Sequence, residues 1–326
     1  MSFNRKNNRT HVIAALLLPL FAAAGCGTDD DTLVKKEKAA PQTTVAQTET
    51  APVTTPAPVE TPVAVVEATY ENSEQAFLDG RYEEAVSLFT RYTEREPNNP
   101  WGYYMLGLSA WKDGRLDVAE GAFQQSLTLD PNHLKSCVNL ARVLLDNNRA
   151  SEALTILDRA LAIDSTSSAA QRLKGRAYHD LNQVDDAITA YRAAIALDPT
   201  DAWSMNNLAF VRIQQGRYEE ALPPLARAVE LRKDVPVFFN NLGMALEHTG
   251  HFGAATEAYA FALNLDGSNA KAALNHDRVA GVREDPATLP VDLTALARTF
   301  ESEIESWKVS SVTEARPDSV VSVQPE

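Results

Sequence analysis

Histidines are the first residues to examine for catalysis, because imidazole serves both as a general base and as a common metal ligand. His248 and His251 lie three residues apart, but no third ligand follows at a spacing typical of a metal site, and His276 with Asp277 forms an isolated pair. The chain has no glycine-rich phosphate-binding motif and no Ser-His-Asp pattern. We therefore expect a protein that is not an enzyme and has no metal or cofactor, with a metal-dependent hydrolase as a remote alternative.

Basic and aromatic side chains offer binding chemistry instead. Lys135, Arg142, Arg172 and Arg176 lie in one central stretch of a chain whose formal net charge is -14. Arginine can hold both oxygens of a carboxylate, and Trp, Tyr and Arg dominate the energetics of protein interfaces. The negative net charge argues against a general nucleic-acid binder. The pattern indicates a protein or extended peptide as the partner, and acidic side chains would suit the basic group.

A repeat of 34 residues positions these side chains. An alanine recurs at this interval six times, with a small residue twelve positions before it and a large apolar residue four positions after it. Five positions before each alanine stands a glycine or an asparagine, which tolerate positive φ. Small residues let two helices approach closely, and large ones fill the neighbouring gap. The small repeat residues include Gly107, Gly175, Gly243 and Ala85, Ala119, Ala153, Ala187, Ala221, Ala255.

Each repeat is predicted to be a helix, a turn, a second helix and an exit turn. Through motifs such as Gly107 followed by Gly114-Arg115-Leu116 and Ala119, the chain resembles the tetratricopeptide repeat family. The resemblance implies an all-α solenoid, a right-handed superhelix of six hairpins, and a binding role that leaves the partner open. The predicted units are 66–99, 100–133, 134–167, 168–201, 202–235 and 236–269. Helix-capping residue types are predicted at Asn98, Asn132, Thr166, Thr200, Asp234 and Ser268.

In that family the first helix of each unit lines the concave face of the array. On those positions the basic residues and three tryptophans share one surface, and the asparagines are similar to the ladder that holds a peptide backbone in the nucleocytoplasmic N-acetylglucosamine transferases. Two alternatives remain: the arginines pair with acids such as Asp146 and Asp180, and the amides bond adjacent helix ends. The predicted partner-binding residues are Trp101, Tyr104, Trp111, Lys135, Arg142, Arg172, Arg176, Trp203, Asn206, Phe210 and Asn240.

The N-terminus has the features of an export signal. Basic residues precede an apolar run at 12–24, which is short for a permanent membrane span, and small residues lead into Cys26. This resembles a bacterial lipoprotein signal, which implies removal of residues 1–25 and a lipid such as palmitate on Cys26. Residues 26–65 are rich in Pro and Thr and predict a flexible linker. We expect a cell-envelope protein that faces the periplasm. The resemblance implies retention in the inner membrane when an aspartate directly follows the cysteine, and because Gly27 stands there instead, the outer membrane is favoured.

Residues 270–308 are predicted to hold two further helices. The first spans 271 to about 282 and covers the open end of the stack. The second follows Asp292 and carries one apolar stripe, which suits a further cap, a segment docked in the array's own groove, or a dimer contact. Residues 309–326 lack periodicity and predict disorder. The stripe consists of Leu293, Leu296, Phe300, Ile304 and Trp307.

Unit five departs from the repeat pattern. Pro223 and Pro224 stand in its second helix, where each removes a backbone donor at a cost of about 3 kcal/mol. We expect this helix to be bent or shortened near Pro223.

The sequence predicts a lipid-anchored adaptor that binds a protein or extended peptide along its concave face. The aromatic group of unit two would hold apolar side chains, and the basic group of units three and four would hold acidic ones. The resemblance offers two settings: assembly of type IV pili or secretins, and recruitment of cell-wall hydrolases. The alternative is a structural spacer or oligomerisation module with contacts on the convex face or the C-terminal helix. Membrane contact is expected through the lipid anchor only.

Overall fold

The computed structural model describes residues 67–314, with side chains to residue 308, and in this range it contains helices and no strands. The predicted signal segment, the lipidated Cys26 and the linker lie outside the described residues. The predicted disorder is wrong for residues 309–314, which continue the last helix, and residues 315–326 lie outside the described range. No helix in residues 67–314 is both long enough and apolar enough to cross a membrane.

Between residues 67 and 314, twelve helices form six hairpins in chain order, and two more helices follow. Within each hairpin the first helix has an odd number and the second an even number. The helices are α1 Tyr70–Leu78, α2 Tyr82–Arg95, α3 Pro100–Lys112, α4 Leu116–Leu129, α5 Leu134–Asp146, α6 Ala150–Ile163, α7 Ser168–Asp180, α8 Val184–Leu197, α9 Ala202–Gln214, α10 Tyr218–Leu231, α11 Pro236–His248, α12 Phe252–Leu265, α13 Ala270–Val279 and α14 Leu293–Glu314.

The turn inside each hairpin requires a left-handed backbone at one residue. Asn148 and Asn182 have φ of 58° and 59°, and the four glycines at the equivalent positions have φ between 72° and 85°. A residue with positive φ ends a helix because it redirects the chain and lets late backbone N–H groups reach the last carbonyls. All six turn positions predicted from the repeat are confirmed.

The helix caps lie one residue later than the sequence predicted. Asn99, Ser167 and Asp201 accept backbone N–H bonds from the first turns of α3, α7 and α9. Thr166, a predicted cap, instead donates its backbone N–H to the Asp164 carboxylate at 2.9 Å and belongs to the exit turn. The prediction was wrong because Thr166 is part of the turn that begins at Asp164, so the next residue, Ser167, caps the helix. The same turn bond is made by Asn132, Thr200 and Ser268.

The close contact within a hairpin places a small residue of the first helix against a large side chain of the second. A Cβ atom on Gly175 would lie 2.6 Å from the Tyr191 ring, and one on Gly243 would lie 2.5 Å from the Tyr259 ring. Both tyrosine rings are fully buried, as are the six repeat alanines. The small and large positions of the repeat are therefore two sides of one packing contact.

The stack curves with its first helices on the inside. Consecutive first helices, such as α5 and α7, have Cα atoms within 8 Å of each other, whereas consecutive second helices in the described residues do not. Units that are closer on one side than the other must form a curved array. The first helices therefore line the concave surface, as the resemblance implied.

The two prolines of unit five do not shorten their helix. α10 spans Tyr218–Leu231 and has 14 residues, the same length as the second helices of units one to four and six. Pro223 and Pro224 deny two backbone bonds to the carbonyls of Glu219 and Glu220, whose side chains are exposed to water. Burial of residues such as Leu222 and Leu225 on the same helix offsets this cost.

The last two helices have different places in the fold. α13 packs on α12 and α11 at the end of the stack, although it ends at Val279 rather than near 282. α14 packs across α10 and α8, so it neither covers the end nor enters the concave groove. Its stripe residues Phe300 and Ile304 are fully buried against this chain's own second helices, so this part of the stripe has its partner within the same chain.

Replacing Gly175 by Ala should destabilise the protein by about 1–3 kcal/mol, because the added methyl group overpacks the Tyr191 ring. Urea or thermal unfolding measures the change in free energy. Gly121→Ala is the matched control, since Gly121 lies in α4 with open space at its Cβ position. It should leave stability equal or raise it by about 0.5–1 kcal/mol. Equal effects of the two substitutions would contradict the close-packing account.

Candidate partner-binding groove

The first helices of units two to four place aromatic and basic side chains on the concave surface. We call the surface formed by Trp101, Trp111, Lys135, Arg142 and Arg176 the basic groove. Trp101 is 45% exposed, and the Lys135 ammonium lies 5.3 Å from the centre of its ring. The Arg142 guanidinium lies 5.1 Å from the centre of the Trp111 ring. These cation–π contacts orient both the charges and the rings on the wall of the groove.

Asp146 organises the floor of the basic groove. Its carboxylate accepts one hydrogen bond from the Trp111 indole at 2.9 Å and another from Arg176 at 2.9 Å. The two donors come from units two and four, on either side of α5, which carries Asp146. The alternative in which the arginines pair with acids of the array is therefore observed for Arg176, which bonds Asp146. A ligand carboxylate at Arg176 would share that guanidinium with Asp146.

Arg172 does not belong to the open surface. Its side chain is 8% exposed and bonds the Asp201 carboxylate at 2.9 Å. Asp201 also caps α9 by accepting the backbone N–H of Ser204 at 3.1 Å. A buried charge is stable only when it is paired in this way, so the Arg172–Asp201 pair joins α7 of unit four to the N-terminal cap of α9 in unit five. The placement of Arg172 on the exposed binding face was wrong, and Asp201, the acid directly before α9, was the available signal in the sequence.

Four further predicted residues are also buried. Trp203 is 7% exposed and meets the Phe238 ring edge-on at 4.9 Å between ring centres. Tyr104, Asn206 and Asn240 are buried as well. Their positions in the unit are those expected for the concave face, but Trp203 and Asn206 contact residues of unit six, and Asn240 bonds Asn275 of α13. The Tyr104 ring lies against the rings of Phe123 and His133. Among the predicted residues, Trp101 and Lys135 are exposed, whereas Trp111, Arg142 and Arg176 in units two to four and Phe210 in unit five are half-buried.

The asparagines bond to each other rather than presenting free amides. Asn241 donates its side-chain N–H to Asn206 at 2.9 Å, and Asn275 donates to Asn240 at 3.0 Å. The first bond joins the first helices of units five and six, and the second joins unit six to α13. The predicted backbone-binding ladder is thus wrong for these residues: their amides hold units five and six and α13 together.

His133 is a buried neighbour of the basic groove that the sequence reasoning missed. Its ring lies 4.6 Å from Trp101 and 5.2 Å from Tyr104, measured between ring centres. Its Nδ1 accepts the backbone N–H of Ser136 at 3.2 Å and so caps α5. Burial lowers the pKa of His133 from its ordinary value of 6.5, and the nearby Lys135 acts in the same direction. Its place at a cap position, after the Asp-Pro-Asn turn, was the only signal in the sequence.

The two histidines considered for a metal site take part in different contacts. His248 stacks on the Tyr218 ring at 4.1 Å, and the His251 ring lies 3.8 Å from the Glu284 carboxylate. The described residues contain no group of three or more His, Cys, Asp or Glu side chains arranged to hold a metal ion.

Acidification should weaken the fold through His133. The histidine of the unfolded chain binds a proton near pH 6.5, whereas the buried histidine binds one only at lower pH. The contribution of neutral His133 to the free energy of unfolding is therefore complete above pH 6.5 and is lost as the pH falls below that value. His133→Asn keeps a capping side chain that does not titrate. Denaturation at several pH values should show a smaller loss of unfolding free energy below pH 6.5 for this variant than for the natural chain. Parallel curves would contradict the assignment.

Comparison with known proteins gives a consistent picture. Tetratricopeptide repeat family models match residues 76–133, 110–177 and 202–235, and a TPR repeat model matches residues 175–214. No curated protein sequence matches the chain significantly.

Solved structures with this fold include PilW, described as a widely conserved type IV pilus biogenesis factor. It is 18% identical with a TM-score of 0.56, over 63% of this chain and 94% of PilW. A thermophilic TPR protein from Thermus thermophilus is 19% identical with a TM-score of 0.50, over 56% of this chain and 100% of that one. The Cut9 and Hcn1 complex of APC/C contains a chain 15% identical with a TM-score of 0.58, over 64% of this chain and 41% of that one. The periodic helix hairpins, their positive-φ turns and these matches together show that the chain belongs to the tetratricopeptide repeat family.

Proposed function

We propose that this protein is an adaptor that binds an extended, acidic segment of a partner protein along the basic groove. The observation that carries the proposal is the grouping of Lys135, Arg142 and Arg176 around two tryptophans, inside a chain of net charge -14. Such a local reversal of charge attracts carboxylates while the rest of the surface repels them. Protein-interaction scaffolding is also the general role of this fold.

Trp101 and Lys135 would form the first contact point of the bound segment. The exposed Trp101 ring offers an apolar platform, and the ammonium of Lys135 stands beside it. An apolar side chain followed by a carboxylate would satisfy both groups. Trp and charged groups in one partly desolvated pocket are typical of interface hot spots.

Arg142 would form the second contact point. It stacks on Trp111 and bonds the Asn139 side chain at 2.9 Å, so its guanidinium is already held in place. A charge that is ordered before binding loses less entropy when it captures a carboxylate. The described contacts therefore favour Arg142 as the main determinant of acidic preference.

The spacing of the helices sets the length of the bound segment. Neighbouring packed helices stand roughly 8–10 Å apart, and an extended chain advances about 3.3 Å per residue. Each unit therefore matches about three residues of ligand. A segment crossing units two to four would span roughly six to nine residues.

The proposed setting is the bacterial cell envelope, with the protein held by a lipid on Cys26 and facing the periplasm, on the outer rather than the inner membrane. The basic start, the short apolar run and the small residues before Cys26 support this. PilW, which shares the fold, is described as a type IV pilus biogenesis factor, so pilus assembly is the first setting to test, followed by secretin and cell-wall machinery.

Changing both Lys135 and Arg142 to Ala should weaken partner capture by roughly tenfold or more, because each charged hydrogen bond contributes about 1.5–3 kcal/mol. Affinity purification from envelope extract followed by titration of the recovered partner measures this. The control is Lys233→Ala with Arg298→Ala, two exposed positive charges outside the groove. Equal capture by both double variants would favour the spacer alternative, in which the groove takes no part.

Cys26→Ser should release the protein from the membrane fraction, because the thiol that would carry the lipid is gone. The measurements are fractionation of cells and incorporation of labelled palmitate. Cys137→Ser is the matched control, since Cys137 is the only other cysteine and lies buried in α5. Unchanged membrane binding and labelling in Cys26→Ser would remove the lipoprotein proposal and leave the adaptor proposal standing.

A further inference from the structure

The last helix occupies a gap on the convex surface. α8 and α10 are second helices of neighbouring units, and their Cα atoms do not come within 8 Å of each other. α14 packs against both of them. Within the described residues, this is the one junction between neighbouring units whose second helices are bridged by another helix.

α14 fills the gap with a continuous apolar face. Ala297, Phe300 and Ile304 are buried along one side of the helix. Phe300 and Ile304 belong to the same core cluster as Tyr191 and Ile195 of α8 and Ala228 of α10. Moving α8 and α10 together would expel these side chains, and moving them apart would open a void. The apolar contact therefore has one preferred spacing.

Ion pairs hold α14 to both walls of the gap. On the α8 side, the Arg192 guanidinium lies 5.0 Å from the centre of the Trp307 ring and 3.7 Å from the Glu303 carboxylate. On the α10 side, Arg227 bonds Glu301 at 2.7 Å. A helix that only covered the apolar surface of one unit would contact α8 or α10, but not both. Contacts to both walls fix the distance between them.

The same junction is also joined on the concave side. The buried Arg172–Asp201 pair links α7 to α9, and His179 Nε2 lies 2.6 Å from the Gln214 side-chain oxygen. Units four and five are therefore held at the inner and the outer surface at once. Two rigid hairpins joined on both faces cannot change their relative tilt without breaking one set of contacts.

We propose that α14 is a strap that sets the spacing of α8 and α10 and thereby fixes the opening of the concave surface between α7 and α9. This junction borders the basic groove, because α7 carries Arg176. With the strap in place, unit four is a fixed wall against which a bound segment closes. When the strap is released, α7 and α9 tilt relative to each other. This control of ligand affinity rests on the proposed function of the groove, whereas the mechanical link between the two surfaces does not.

Hydrogen exchange of the full-length chain tests the link without a ligand. The strap variant combines Trp307→Ala with Glu301→Lys, which removes the ring contact to Arg192 and repels Arg227. The control is Arg298→Ala, an exposed residue of the same helix. Amide exchange is measured for every helix under native conditions. We expect exchange in α7 and α9 to rise roughly fivefold or more in the strap variant and to stay unchanged in the control.

The pattern across the helices decides the result. No Cα atom of α7 or α9 lies within 8 Å of one in α14, so faster exchange in α7 and α9, with α3 and α5 unchanged, supports coupling through the junction. Faster exchange confined to α8, α10 and α14 overturns the proposal, since α14 then acts only where it touches. A uniform rise that includes α3 and α5 also overturns it, because it reports general destabilisation.

A binding measurement separates the strap from the proposed function. The partner recovered with the natural chain is titrated against the strap variant and against Lys135→Ala with Arg142→Ala. Coupled exchange with a several-fold weaker affinity in the strap variant supports control of the groove. Coupled exchange with unchanged affinity overturns that control while leaving the mechanical link. If the Lys135 and Arg142 changes also have no effect, it is the proposed function of the groove that has failed.

Discussion

The structure depends on a contact in which a small residue in the first helix of a hairpin lies directly against a large side chain in the second, as Gly107, Gly175 and Gly243 do. Where that residue is Gly175 or Gly243, even one methyl group would meet the opposing aromatic ring at 2.6 Å or less. This approach sets the distance between the two helices of a unit, and the positive-φ turn sets the direction of the second. Once both are repeated every 34 residues, identical hairpins must stack, and the stack must curve.

Because the array is curved, side chains on its concave and convex surfaces make different kinds of contact. Inside the curve, first helices lie close together, so polar side chains can reach the next unit. They do so as Arg172–Asp201, Trp111–Asp146 and Asn206–Asn241. Each such bond stabilises the array and withdraws one group from a partner. Binding capacity is therefore greatest where aromatic and basic groups of the inner surface stay exposed or half-buried, in units two to four.

Outside the curve, second helices diverge and leave gaps that water or another helix must fill. α14 fills one of these gaps with an apolar stripe and places charged residues at both edges. Its stripe was readable in the sequence as an amphipathic helix from Leu293 to Trp307. The surface it covers was not, since a helix of this kind packs equally well on an end, in a groove or against a second copy.

The repeat period determined the number of hairpins, their turns and the small and large positions, because these follow from local backbone and packing requirements that recur in sequence. Trp101 and Trp203 show what only the tertiary structure decided. Both stand at the second position of their unit, yet Trp101 is 45% exposed and Trp203 is 7% exposed. Trp203 packs on Phe238 of the following unit, whereas Ser136 occupies the position corresponding to Phe238 after unit two. Exposure at a repeat position depends on the size and polarity of side chains in the neighbouring unit, and the periodic pattern contains no information about those contacts until the units are stacked.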